Sequence, residues 1–195
     1  MEKRYPPEEF SGARIKLKRF NIALAEQMYA YVDRDRNRLE KFLPWPPAIQ
    51  SVADEIKFIE DSRKKWDDFD TFGFAIFRSN DNEYLGNVSA FGLDWKNELC
   101  EIGYWIFGDF EGKGFMIEAV ALLEKVLFEL GFNRLVIRCE PDNQRSALIP
   151  RRLSYFYEGI SRQIKLDNGK YRDLEVYSKL RSDISKHPNT QGFAR

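Results

Sequence analysis

The chain has 195 residues, of which 43% are hydrophobic and 32% are charged, and its 31 Lys and Arg balance 31 Asp and Glu. This length fits one domain with a sizeable core. A formal net charge of zero gives no extended field for nucleic acid or an anionic membrane, so neither is expected as a partner. No apolar run is long enough to cross a membrane, and the charged start lacks the apolar segment of a signal peptide, which predicts a cytoplasmic protein.

Histidine and cysteine usage restricts the chemistry. The only histidine, His187, lies in a polar C-terminal segment, which argues against Ser-His and Cys-His triads and against a metal site built on histidine. Cys100 and Cys139 lie in separate apolar runs, so two buried thiols are expected. The catalytic groups are therefore expected to be carboxylates, hydroxyls, phenols and backbone amides.

The first third of the chain contains one predicted strand and two predicted helices. In chain order we expect a loose start over 1–10, a strand over 14–19, a helix over 21–39, a non-helical loop over 42–47 and a second helix from residue 51. The strand is indicated by its alternation of polar and apolar residues. Asn21 and Ser51 are the expected helix caps. The loop contains three prolines, which remove backbone donors and exclude a helix.

The rest of the chain alternates strands with two helices. We expect strands over 72–78, 84–91 and 99–107, a long helix over 111–130, a buried strand over 135–139, a short helix over 143–153, a hairpin of 156–165 and 171–180, and a flexible tail over 182–195. Aromatic and β-branched residues favour the strands. Apolar residues at steps of three and four indicate the long helix, which Gly131 ends. This order predicts a single mixed α/β domain over residues 1–181.

The segment Glu111-Gly-Lys-Gly-Phe-Met, at the start of the long helix, is the clearest functional motif. Gly112 and Gly114 remove side chains where a backbone turns sharply or approaches a ligand. Free N–H groups at a helix start form an anion site suited to a pyrophosphate, and Lys113 adds a cation. A Walker loop does not fit, because Gly108 is one residue too close, and the dinucleotide fingerprint fails at Ile117. A plain strand-to-helix turn remains the alternative.

Several ordered motifs resemble one family. Glu101-Ile-Gly-Tyr-Trp-Ile followed by the Glu111 motif is similar to the acetyl-CoA signature of the GNAT superfamily of N-acetyltransferases. Residues 135–146 resemble the next strand and helix of that fold, and residues 156–177 resemble the closing hairpin of its ribosomal-protein N-terminal acetyltransferase (RimJ/RimL-like) branch. The resemblance implies a mixed, mostly antiparallel sheet of about seven strands flanked by four helices, with two strands splayed at the acetyl-CoA site.

The resemblance also implies acetyl-CoA as cosubstrate and a set of contacts for it. The pyrophosphate is expected on the amides of Gly112, Lys113, Gly114, Phe115 and Met116. The pantetheine arm is expected along Tyr104, Trp105, Ile106 and Phe107, with a further contact from Asn143. One amide of that strand is expected to polarise the thioester carbonyl.

The chain departs from the family pattern at several positions. Glu111 replaces the usual Gln or Arg, and Pro150 stands where many members have an acid tyrosine. Ser146 matches the serine proposed as acid in the ribosomal branch. Lys165 stands where that branch offers a glutamate, and residues 153–155 read Leu-Ser-Tyr where Leu-Gly-Phe is usual.

Transfer to an amine requires a neutral nucleophile, so a general base is expected within reach. Glu101 is the candidate base, with a solvated strand glutamate as the alternative. Ser146 is the candidate donor to the departing thiolate, and Tyr104 is a second candidate. The expected substrate-lining residues are Trp45, Asp173 and Glu175.

The leading hypothesis is an enzyme that acetylates a protein N-terminal α-amine. The alternatives are an enzyme for a small amine such as a polyamine, an amino acid or an antibiotic, a non-catalytic acyl-CoA-binding module, and an interaction domain that has lost the cofactor. Expected partners are acetyl-CoA and the amine acceptor, with a homodimer left open.

Overall fold

The computed structural model describes residues 1–167 and 169–186, with nothing stated of the side chains at 185 and 186. His187, the rest of the expected tail and the hairpin-turn residue Asn168 lie outside these ranges. The strands are β1 Glu9–Ser11, β2 Ile15–Arg19, β3 Phe72–Arg78, β4 Tyr84–Asp94, β5 Leu99–Ile106, β6 Arg134–Cys139, β7 Phe156–Asp167 and β8 Lys170–Leu180. The helices are α1 Ala25–Leu39, α2 Val52–Asp67, α3 Phe115–Leu130, α4 Gln144–Arg152 and α5 Arg181–Lys186.

The strands form one mixed sheet in the order β1-β2-β3-β4-β5-β6-β8-β7. Among the described strands, β5 and β6 pair in parallel and the other neighbours pair antiparallel. The mixed, mostly antiparallel sheet is confirmed, with eight strands where about seven were expected.

The sheet opens between β5 and β6. These strands pair at three positions, of which the last joins Glu101 to Val136. From Ile102 to Ile106, β5 continues in register with β4 within the described sheet, while β6 continues beside β8. The expected splay of two strands is therefore present, and it begins after Glu101.

The core explains why the long helix is so well marked in the sequence. Ala119, Leu123 and Leu127 are fully buried on α3, which packs against β2, β4 and β5. Cys100 and Cys139 are buried free thiols, as expected. No helix among the described residues combines the length and apolarity needed to span a membrane.

Near both ends, the described residues include secondary structure that the sequence does not predict. β1 pairs with β2 from Glu9 to Ser11, so the expectation of a loose start over residues 1–10 is wrong there. The Met1 ammonium also donates to the Trp95 carbonyl oxygen at 2.8 Å. Residues 182–186 are helical, and Arg181 donates to the Phe132 carbonyl oxygen at 2.8 Å, which ties α5 to the end of α3.

One helix boundary differs from the expectation in a way that matters for the site. α3 begins at Phe115 rather than at Glu111. Gly112 and Gly114 adopt φ values of 72° and 78°, which are left-handed and incompatible with an α-helix. Residues 111–114 therefore form a loop that ends in the helix start.

Candidate active site

The Gly-Lys-Gly loop presents a row of backbone donors. Within the described part of the chain, the N–H groups of residues 112–117 donate no hydrogen bond, and the first bond of α3 runs from Glu118 N to Gly114 O at 3.2 Å. A side chain built at Gly112 would meet no atom within 4 Å, so the loop surface is open. These donors, with the helix dipole behind them, fit a pyrophosphate.

A guanidinium that the sequence analysis missed lies beside this loop. Arg14 donates from Nη1 to the Lys113 carbonyl oxygen at 3.0 Å and from Nε to Glu118 Oε2 at 2.9 Å. Its guanidinium also stacks over the Phe115 ring at 5.0 Å. Lys113 itself donates to the Asp109 carbonyl oxygen at 2.8 Å. The loop therefore has two cations fixed close to its amides.

Glu111, the departure at the head of the loop, is held between two arginines. Arg38 Nη1 donates to Glu111 Oε1 at 2.6 Å, and Arg145 binds the other carboxylate oxygen. Arg38 also donates to the Ile106 carbonyl oxygen at 2.7 Å. The negative charge of Glu111 is thus offset locally, and it links α1 and α4 to the end of β5.

A cavity of about 410 Å³ occupies the opening between β5 and β6. Its lining includes residues 101–104 and 138–140, together with Asn143, Ser146 and Lys165. Parted strands beside a donor-rich helix start form a cleft for an extended ligand that ends in a pyrophosphate.

Ser146 and Tyr104 meet across this cleft. Asn143 caps α4 by accepting from Ser146 N at 3.1 Å. Pro150 has no N–H, so the Ser146 carbonyl oxygen lacks its helical donor, and the Tyr104 hydroxyl donates to it at 2.9 Å. The Ser146 hydroxyl lies 3.4 Å from the Tyr104 hydroxyl. Burial raises the pKa of Tyr104, so this phenol stays protonated at neutral pH.

Two ion pairs line the same cleft. Arg138 Nε donates to Glu101 Oε2 at 2.8 Å. Lys165 Nζ lies 3.4 Å from Glu140 Oε1. Glu101, the expected base, is therefore brought to the cleft but is engaged by a cation. Lys165 stands at the position where the resemblance to the ribosomal branch places a glutamate, and it pairs with the carboxylate of Glu140.

A second cavity of about 470 Å³ lies between α1, α2 and the strands β3 to β5. Its floor includes Gly73, Ser89 and Gly103, which are register partners on three adjacent strands. Trp45, predicted to line a substrate channel, lines this cavity with its ring centroid 5.2 Å from that of Trp105. The residues common to both cavities are Leu43, Phe91, Gly103 and Tyr104. The two cavities therefore meet at Gly103 and Tyr104.

Glu55 on α2 also lines the second cavity, and the sequence analysis did not single it out as a site residue. Its side chain is 2% exposed, and its Oε1 has no hydrogen-bond partner among the described residues. Burial, and secondarily the charge of Asp54, raises the pKa of Glu55 to about 7. One signal was present in the sequence, because position 55 falls on the apolar stripe of Val52 and Ile59.

The two carboxylates that were expected to line the substrate site lie outside both cavities. In the described ranges, Asp173 and Glu175 line neither cavity. Asp173 accepts from Gln163 N at 2.7 Å, and Glu175 accepts from the Tyr177 hydroxyl at 2.7 Å. The side chain of Phe107 is buried in the core, so only its backbone is available to a ligand. Among the described residues no group of His, Cys, Asp or Glu could hold a metal ion.

A sheet opened beside a helix start with free amides fits an extended ligand that carries a pyrophosphate, which is the form of an acyl-CoA. A family model described as an acetyltransferase (GNAT) domain matches residues 14–155, and the chain belongs to this family. It is accordingly an acetyl-CoA-dependent N-acetyltransferase.

Relatives and solved structures agree with this membership. YdaF of Bacillus subtilis is 32% identical over 163 residues, which cover 82% of this chain and 87% of YdaF. The ribosomal-protein-serine acetyltransferase of Escherichia coli is 27% identical and is matched over 78% of this chain and 85% of its own length. The structure of RimL, a ribosomal α-N-protein acetyltransferase in complex with coenzyme A, is 25% identical with a TM-score of 0.83, covering 89% of this chain and 98% of RimL. The structure of the microcin C7 self immunity acetyltransferase MccE, in complex with acetyl-CoA and AMP, is 27% identical with a TM-score of 0.84. The match covers 89% of this chain and 97% of MccE.

Proposed function

We propose that this acetyltransferase modifies the N-terminal α-amino group of a protein, and that the acceptor is a ribosomal protein. The observation that carries the proposal is the junction of two cavities at Gly103 and Tyr104, one in the opening between β5 and β6 and the other lined by aromatic residues beside α2. Relatives named for ribosomal-protein serine and alanine acetylation support the choice of acceptor. Because ribosomal proteins are made and assembled in the cytoplasm, this proposal places the reaction there.

Each part of the site has a role in this proposal. The amides of residues 112–117 hold the pyrophosphate, with Arg14 and Lys113 beside them, and the edge of β5 over 104–106, which β6 does not pair with, aligns the pantetheine arm. Asn143 contributes its amide nitrogen there, because its side-chain oxygen caps α4. Acetyl-CoA supplies the acetyl group as a thioester. An amide of β5 polarises the thioester carbonyl.

The hydroxyl groups of Ser146 and Tyr104 deliver a proton to the departing sulfur in this proposal. Both residues line the cleft, where the Ser146 hydroxyl donates to the Tyr104 hydroxyl at 3.4 Å and the Tyr104 hydroxyl donates to the Ser146 carbonyl oxygen. Glu101 acts with Arg138 as an ion pair that fixes the point where β5 and β6 diverge.

An α-amine suits this site because its pKa of about 8 leaves a usable neutral fraction at neutral pH, whereas a lysine amine at about 10.4 does not. The test is acetyl-CoA turnover with peptides that begin with serine or alanine, with the same peptides blocked at the α-amine but carrying lysine, and with polyamines. Turnover of the free α-amine peptides, with the acetyl group located there by mass spectrometry, is expected. Turnover confined to polyamines, or acetyl-CoA binding without any turnover, would contradict the proposal.

We also propose that the enzyme forms a homodimer through β7. This strand ends the sheet, and it exposes apolar side chains that include Phe156, Ile160 and Leu166. Exposed apolar residues grouped along a sheet edge favour association with a second sheet. Sedimentation equilibrium should give a dimer for the parent and a monomer for Phe156→Glu, and a monomeric parent would refute this assembly.

A further inference from the structure

Three carboxylates line the two cavities that meet at Gly103 and Tyr104, and they differ in their ion-pair and hydrogen-bond partners. Glu101 binds Arg138, and Glu140 binds Lys165. Glu55 is the most buried of the three, and among the described residues its Oε1 has no hydrogen-bond partner. Burying a carboxylate oxygen without a hydrogen-bond partner lowers the stability of the fold. A protein that retains such a group often uses it to bind a ligand, which then supplies the missing partner.

The surroundings of Glu55 indicate the chemistry of that ligand. Trp45 and Trp105 line its cavity with their ring centroids 5.2 Å apart, and Phe58 lines it as well. Aromatic faces attract cations, and a buried carboxylate completes a site for an ammonium group. The floor of glycine and serine leaves room for a chain of atoms to reach the junction with the cleft.

We propose that Glu55 receives the ammonium group of the acceptor in this cavity and takes its proton before acetyl transfer. The inference rests on the proposed function, because it concerns the acceptor of that same reaction. The proton passes from the ammonium nitrogen to the Glu55 carboxylate, which leaves a neutral amine. The amine lone pair then forms the C–N bond, the C–S bond breaks, and the sulfur leaves with its electron pair. The second nitrogen proton is lost to that sulfur, through the hydroxyl pair of Tyr104 and Ser146, and Glu55 releases its proton to solvent.

The electrostatic surroundings suit a proton acceptor that works near neutral pH. Burial raises the pKa of Glu55 to about 7, close to the value of about 8 for an α-ammonium. Its electrostatic neighbours are Asp54 on its own helix and Tyr84 on β4, and the other titratable groups that line its cavity are Lys65 of α2 and Tyr104 of β5. Burial and the Glu55 charge both raise the pKa of Tyr84, so this phenol remains neutral.

The kinetic test compares Glu55→Gln with Glu60→Gln, an exposed glutamate on the same helix. With peptides that have a free α-amine, Glu55→Gln should lower kcat/KM by about 100-fold or more and remove the acid limb near pH 7 from its pH profile. Its affinity for acetyl-CoA should match the parent, and Glu60→Gln should behave as the parent. Parental kcat/KM with an unchanged acid limb in Glu55→Gln would overturn the inference.

A second measurement keeps this inference separate from the identity of the acceptor. If the parent turns over no peptide, the proposed function is wrong, and the melting temperature in n-butylammonium chloride then decides the role of Glu55. Above pH 7, n-butylammonium chloride should raise the melting temperature of the parent relative to potassium chloride of equal ionic strength. The same salt should leave Glu55→Gln unaffected, and equal stabilisation of both proteins would overturn the inference.

Discussion

The hydroxyl oxygens of Tyr104 and Ser146 lie 3.4 Å apart, and Tyr104 donates at 2.9 Å to the carbonyl oxygen of the same serine. The Ser146 carbonyl oxygen is free to accept from Tyr104 because Pro150, four residues further along α4, has no N–H to donate to it. The proline that replaces the tyrosine common in this superfamily therefore creates the link between β5 and α4 across the cleft.

This link predicts a thermodynamic coupling between Tyr104 and Pro150. Tyr104→Phe should lower the free energy of unfolding by about 1–3 kcal/mol, because it leaves the Ser146 carbonyl without a donor. In a Pro150→Ala background the new N–H can serve that carbonyl, so the same change should cost less. Urea unfolding of the four proteins measures the coupling, with Tyr171→Phe on the exposed hairpin as a control. Additive effects would show that the two residues act independently.

The position of Ser146 predicts a separation between turnover and binding. Ser146→Ala should reduce kcat by about 100-fold while the Kd for acetyl-CoA stays close to the parental value. Ser11→Ala, at an exposed serine of β1, is the matched control. Equal kcat in the variant and the parent would remove Ser146 from proton delivery.

The amide loop predicts a charge-specific loss of acetyl-CoA binding at Gly114. Asp and Asn have the same shape and tolerate the left-handed conformation equally, so Gly114→Asp and Gly114→Asn share the strain at φ 78°. The aspartate alone adds a negative charge where a pyrophosphate is expected. Calorimetry should show binding abolished in Gly114→Asp and only weakened in Gly114→Asn. Equal affinities for the two variants would indicate that the phosphates lie elsewhere.

The raised pKa of Glu55 predicts how stability changes with pH. An acid whose pKa is about 7 when folded, against an ordinary 4.5, binds more protons in the folded state between these values. The free energy of unfolding should therefore fall as pH rises from 4.5 to 7, by about 3 kcal/mol from this group at about 1.4 kcal/mol per unit.

Glu55→Gln should remove that slope. Its stability should equal that of the parent near pH 4.5 and exceed it above pH 7. Urea unfolding at the two pH values measures the difference. A parallel pH dependence in both proteins would show that Glu55 titrates normally.

Much of the fold follows from local patterns. Ser51 caps α2 as expected, and the apolar steps of three and four mark α3 because that helix is packed against the sheet along one face. The Gly-Lys-Gly motif locates the amide loop for a physical reason, since Gly112 and Gly114 both adopt left-handed backbone conformations. The splay of β5 and β6 follows from the family resemblance rather than from any residue taken singly.

The remaining features depend on contacts between distant segments. β1 is three residues long and forms by pairing with β2, so its own sequence carries little signal. Arg14 has the pattern of a strand residue, and its position beside Lys113 arises from the packing of β2 against α3. Glu55 has the pattern of an acidic residue in the first turn of a helix, and its burial depends on how α2 lies over the sheet.

The measurement that most directly tests the account is an amide NMR titration of the isotopically labelled protein with acetyl-CoA. The account predicts that the N–H resonances of residues 112–117 shift most, followed by those of 102–106 on the open edge of β5, while β2 and β3 change little. Saturable binding with unshifted resonances across the Gly-Lys-Gly loop would contradict it.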